Sequence, residues 1–113
     1  MKMLLIAVTG LLLAGCAQTG TQEYARNLGG KCDVPQYYAI DFSRFDETAQ
    51  QIAHATGCGI ITDTTLTGAI KPHPVKGYLT RREAVFMAIQ GTSLKVVKQE
   101  PDTVTVEQHV RGY

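Results

Sequence analysis

Three histidines, three cysteines and ten carboxylates are the side chains here with reactive or ligating chemistry. Their spacing limits what they can do. His54, His73 and His109 form no His-x-x-x-His pair, and no Cys-x-x-Cys occurs, so metal-ligand spacing is missing. Each histidine reads as a surface or loop residue. Ser43 lacks a surrounding G-x-S-x-G and reads as a helix cap, not a nucleophile. Asp41 and Asp46 flank a strand–helix corner and have the look of a carboxylate pair. Capping and compensation of the helix dipole account for them more simply. Gly29-Gly30 is followed by no Lys-Ser/Thr and is no phosphate loop. Arg81-Arg82 falls in the first turn of a helix and reads as a solvated pair unless a partner supplies carboxylates. The expectation is a protein without catalytic residues, metal, cofactor or small-molecule substrate.

The cysteines carry more information. Lys2 supplies a positive charge, and Met3 to Ala14 is an apolar stretch of signal-peptide length, too short to span a bilayer comfortably. It runs into Leu13-Ala14-Gly15-Cys16, which resembles the bacterial lipoprotein processing signal. The resemblance implies a signal peptide over 1–15, cut before Cys16, with palmitate-type acyl chains on that cysteine. Each buried methylene contributes about 0.8 kcal/mol, so several chains anchor a protein stably. Ala17 at the following position implies sorting to the outer membrane, with the domain facing the periplasm. Cys32 and Cys58 then remain. In an oxidising compartment an even remainder reads as a disulfide. The loop of about 26 residues would contribute about 3.5 kcal/mol in the chain-entropy model. Pairing of one thiol with a partner protein, or two buried free thiols, are the other readings.

Loss of Lys2 leaves ten basic against ten acidic side chains in a mature chain of about 98 residues. That balance disfavours a nucleic-acid binder, which needs a concentrated basic patch. The length suits one small domain, and domains of this size commonly need a staple or a partner. Residues 16–36 are polar, small and broken by Gly29-Gly30 and Pro35. They read as a lipid-anchored flexible linker, with at most a weak helical turn over 23–28.

The folded domain is expected over 37–109. Tyr38, Ile40 and Phe42 alternate with Tyr37, Ala39 and Asp41, which marks a strand. Ser43 and Asp46 suggest a cap for a helix carrying Phe45, Ala49, Ile52, Ala53 and Thr56 on one face, closed by Gly57. Gly59 to Asp63 reads as a short strand and Thr64 to Lys76 as irregular. Pro72 and Pro74 permit only an edge strand around Ile70 to Val75. Thr80 and Glu83 form a capping box for a helix over 81–90, ended by Gly91. Two strands follow, Leu94 to Glu100 and Thr103 to Gln108, joined by Pro101-Asp102.

This succession resembles the short N-terminal domain shared by secretins and TonB-dependent receptors. The residues that carry the likeness are Ile40-Asp41-Phe42, then Ala49 to Ile52, Thr56-Gly57 and Ile60-Ile61. Gly77-x-Leu79-Thr80, Glu83-Ala84-Val85, Ala88-Ile89, Gly91-Thr92-x-Leu94 and the closing hairpin complete it. Ala49 and Ala88 are small where the family often has Leu, and Cys58 is not a family feature. The resemblance implies an α+β domain of order β-α-β-β-α-β-β, two helices packed between a two-stranded and a three-stranded sheet. It also implies a periplasmic protein–protein contact module. The expected role is contact in a trans-envelope secretion complex, of secretin or type IV secretion and conjugation type. The alternative is a TonB-receptor-like signalling module contacting an anti-sigma regulator.

One stretch departs from an amphipathic pattern. Ala84 to Ile89 (AVFMAI) is six consecutive apolar residues. Phe86 lies about 100° and Met87 about 200° round the helix from Val85. One core face cannot hold all three, so either two sheets cover this helix or Phe86 and Met87 form a contact patch, with at least one of them exposed. The edge around Ile70 to Val75 is a weaker candidate surface, since its prolines remove donors.

Overall fold

In the computed structural model, residues 22–109 are described. The first strand, β1 (Pro35–Ile40), buries Tyr38 and Ile40 and turns Tyr37 and Ala39 outward. Phe42 does not extend it; that ring lies past the strand end and is exposed. The chain has already turned into α1 (Phe45–Ala53), which buries Phe45, Thr48, Ala49 and Ile52. The residue preceding α1 is Arg44, not Ser43, and no side chain caps the helix. The Phe45 and Asp46 amides instead donate to the carbonyls of Ile70 (2.8 Å) and Gly68 (3.2 Å), so tertiary contact satisfies these otherwise orphaned donors. After α1 both Ala55 (φ 57°) and Gly57 (φ 82°) are left-handed, and the chain reverses into β2 (Gly59–Ile61).

The stretch expected to be irregular holds a short helix, α2 (Thr64–Thr67). Asp63 caps it through the Thr65 amide at 3.0 Å, and the Thr62 and Thr67 hydroxyls bond at 2.8 Å. No strand forms over 70–74. Pro72 and Pro74 cannot donate, and the ladder begins just beyond them in β3 (Val75–Thr80). The capping box of α3 (Arg81–Ala88) is present in full: Glu83 N–H donates to Thr80 Oγ1 at 3.0 Å, and Thr80 N–H donates to Glu83 Oε1 at 2.8 Å. Gly91 (φ 72°) follows, then the hairpin β4 (Leu94–Glu100) and β5 (Thr103–Gln108).

The protein is α+β, with one two-stranded and one three-stranded sheet. β1 pairs antiparallel with β3, from Pro35↔Thr80 to Ile40↔Val75. The other sheet runs β2-β5-β4, with β2 parallel and β4 antiparallel to β5. Helices α1 and α3 pack on each other, α1 against β2 and α3 against β3. Phe45, Ile52, Val75, Val85, Leu94, Val96, Val104 and Val106 form one core drawn from both sheets and both helices. A bulge between Val96 and Lys98 shifts the pleat, so Gln99 takes the inward position after Val96. Among the described residues no helix is long and apolar enough to cross a membrane.

Candidate functional site

Cys32 and Cys58 form a disulfide, with Cα atoms 4.7 Å apart and both residues buried. Of the three readings open at the sequence level, intramolecular pairing holds. The bond fixes a single 3-10 turn (Lys31–Asp33) against the α1–β2 connection. That turn presents Asp33 to the start of α3. Asp33 Oδ1 accepts from Arg82 Nε at 2.8 Å, and Oδ2 accepts from Arg82 Nη2 at 2.9 Å. The Gly30 and Leu28 amides also donate to Oδ2, at 3.0 and 3.2 Å. Arg82 Nη2 continues to the Glu100 carbonyl at 2.8 Å. The Arg82 guanidinium bonded to Asp33 holds its carboxyl below the usual carboxylate range, with the Gly30 and Leu28 amides acting in the same direction against burial.

Arg81-Arg82 is therefore not a solvated pair. Arg82 is fully buried, and Arg81 donates to the Val34 carbonyl (2.6 Å) and Gln36 Oε1 (2.8 Å). The 3-10 turn closes over them from the N-terminal side. It sits against the β4–β5 turn through Cys32 N–H to Pro101 O (3.1 Å) and Lys31 N–H to Asp102 Oδ1 (2.8 Å). Gly30 is required at this crossing: a Cβ there would lie 2.1 Å from the Pro101 carbonyl oxygen.

The linker expected over 16–36 does not describe residues 22–36. Upstream of the turn, 22–28 forms a strap over β4. Gln22 N–H donates to Val96 O at 2.7 Å. The inward-turned Gln99 reads the strap's backbone: its Nε2 donates to Tyr24 O (2.9 Å) and its Oε1 accepts from Arg26 N–H (3.0 Å). The sequence held no signal for this contact, because strict alternation from Leu94 and Val96 turns Gln99 outward and only the bulge brings it in. Cys16 and the leading 1–15 segment lie outside the described residues.

Between strap, α3 and β4 lies a cavity of about 310 Å³, whose lining includes Gln22, Ala25, Phe86, Ile89 and Leu94. Phe86 and Met87 are both half-buried and packed against the core. The expectation that one of them is exposed is corrected: the AVFMAI run is covered on more than one side, and Phe86 shares its cavity with strap residues. The cavity lining mixes the apolar Phe86, Ile89 and Leu94 with the polar Gln22, Glu23, Gln90 and Lys95.

The remaining candidates are dispersed. His54 and His109 are exposed, and His73 Nδ1 lies 2.7 Å from Pro74 O. Among the described residues no group of three or more His, Cys, Asp or Glu could hold a metal ion. Asp46 pairs with Arg44 at 2.8 Å, and this partner lowers its pKa. On the outer face of the two-stranded sheet Tyr37 and Tyr78 stand directly opposite, ring centroids 4.9 Å apart and both exposed. Their pairing was not legible before the β1–β3 register was known. Comparison of the chain with family models, curated proteins and solved structures found no match.

Proposed function

We propose that this chain is a non-enzymatic outer-membrane lipoprotein whose periplasmic domain makes protein–protein contacts within a trans-envelope secretion complex. The observation that carries the reading is the half-buried Phe86 on the wall of an open cavity of about 310 Å³ with mixed apolar and polar lining, where a partner side chain could seat. The Cys32–Cys58 disulfide supports an oxidising compartment. Leu13-Ala14-Gly15-Cys16 supports acyl anchoring at Cys16. The succession of strands and helices that resembles the secretin and TonB-receptor domain supports a secretion-channel or secretin subunit as partner.

Photo-crosslinking in the native host tests this, with a probe in place of Phe86 and a control probe in place of Gln50 on the exposed face of α1. The expected result is a secretion-channel subunit captured from position 86 and not from position 50. Capture of an anti-sigma regulator would replace the secretion reading with a signalling one. No capture from either position would remove the cavity as a contact surface.

A further inference from the structure

The docked strap fixes how far the folded unit can stand from its anchor, which rests on the lipidation of Cys16 proposed above. Gln22 is bonded to β4 through its own amide, at 2.7 Å from Val96 O. Two residues on, the strap is bonded again through Tyr24 O and Gln99 Nε2, and then through Arg26 N–H and Gln99 Oε1. The attachment to β4 therefore reaches back at least to Gln22 and does not start near Pro35. Only residues 17–21 separate Cys16 from Gln22. Six Cα-to-Cα steps span at most about 21 Å, whatever their conformation. A unit of about 88 residues is about 30 Å across. The leash is thus shorter than the body it holds.

We infer that the domain is held close to the lipid headgroups, with the β4 edge nearer the membrane and the β2 edge turned away. The sheet order β2-β5-β4 puts β2 two strand spacings from β4, about 10 Å further from the exit point. Exposed Lys98 on β4 and exposed Ile61 on β2 mark the two edges. A partner that reaches the cavity does so close to the bilayer, within about one domain width of it.

The test uses the full lipidated chain in vesicles whose headgroups carry a short-range nitroxide quencher. Fluorophores are placed singly through Lys98→Cys and Ile61→Cys, with Cys32–Cys58 left oxidised and Cys16 acylated. The expected result is at least twofold stronger quenching at position 98 than at 61, lost when twelve Gly/Ser residues are inserted after Ala17. Equal quenching in protein that co-floats with the vesicles overturns the orientation and leaves the anchor standing. Protein that does not float removes the anchor itself, and the orientation with it. Circular dichroism of each labelled protein confirms that it is folded before it is scored.

Discussion

The N-terminal segment is fastened to the body at two places by opposite means. At Cys32–Asp33 the attachment is covalent and ionic, and it is buried. At Gln22–Arg26 it is a set of hydrogen bonds, most of them through the single side chain of Gln99. The first attachment closes the core: without it the buried Arg82 of α3 would keep only the Glu100 and Pro101 carbonyls as partners. The second leaves the core intact and only lays a strap over β4. The difference separates what closes the core from what only holds the segment before it in place. Strong chemistry is spent where a charge must be neutralised inside the protein, and weak chemistry where a segment need only be kept in place.

The largest effect that sharpens this contrast is expected at the ion pair. Asp33→Ala leaves the Arg82 charge buried and unpaired, which costs about 3–5 kcal/mol. Urea denaturation measures it, and Asp33→Ala combined with Arg82→Met should recover a large part of the loss. A cost below about 1 kcal/mol for the single variant would place the pair with ordinary surface bridges.

The disulfide comes next. Replacing Cys32 and Cys58 together with Ala should lower stability by about 3.5 kcal/mol through the loop of 26 residues it closes. The same denaturation experiment reads it. A loss confined to the strap, with the cooperative transition unchanged, would contradict its place in the core attachment.

Acid should find the same attachment. Asp33 in the folded chain titrates below the ordinary carboxylate value of 3.8, because Arg82 and the amides bond its charged form. Its contribution is therefore complete above that value and is lost as pH falls through the lower, folded pKa. Asp33→Asn should flatten this part of the stability–pH curve below about pH 4. A curve of unchanged shape would mean that other carboxylates govern acid unfolding.

The smallest effect belongs to the strap. Gln99→Ala removes the bonds to Tyr24 O and Arg26 N–H and should cost about 1–2 kcal/mol, felt locally. Hydrogen exchange should quicken at the Arg26 amide and stay unchanged at core positions such as Val104. Unchanged exchange at Arg26 would show that the strap is held by something other than Gln99.

The same contrast explains what was legible in the sequence. The β1 alternation at Tyr38 and Ile40, the Thr80–Glu83 box and the Gly91 stop are local signals, written within a few residues of one another, and each is present in the fold. The α1 start was misread because its first amides are satisfied by Gly68 and Ile70, more than twenty residues downstream, and not by Ser43. The short helix at Thr64–Thr67 is one turn under an Asp63 cap, too brief to leave a periodic pattern. The two attachments were least legible of all. Asp33 and Arg82 are 49 residues apart, and Tyr24 and Gln99 are 75 apart. A basic pair opening a helix and a polar start to a domain look like solvent-facing segments until the carboxylate and the glutamine that bind them are brought close. The Phe86–Met87 run was legible as an anomaly, but the packing of both residues against the core was not.

Intact-mass analysis of the mature chain purified from its native host tests the central claim most directly: a lipid-anchored, disulfide-tied domain of the envelope. The account predicts a chain that begins at Cys16, carries the added mass of acyl groups, and lacks the two hydrogens removed by one Cys32–Cys58 bond. A chain that retains residues 1–15, or one whose Cys16 is unmodified, would contradict it.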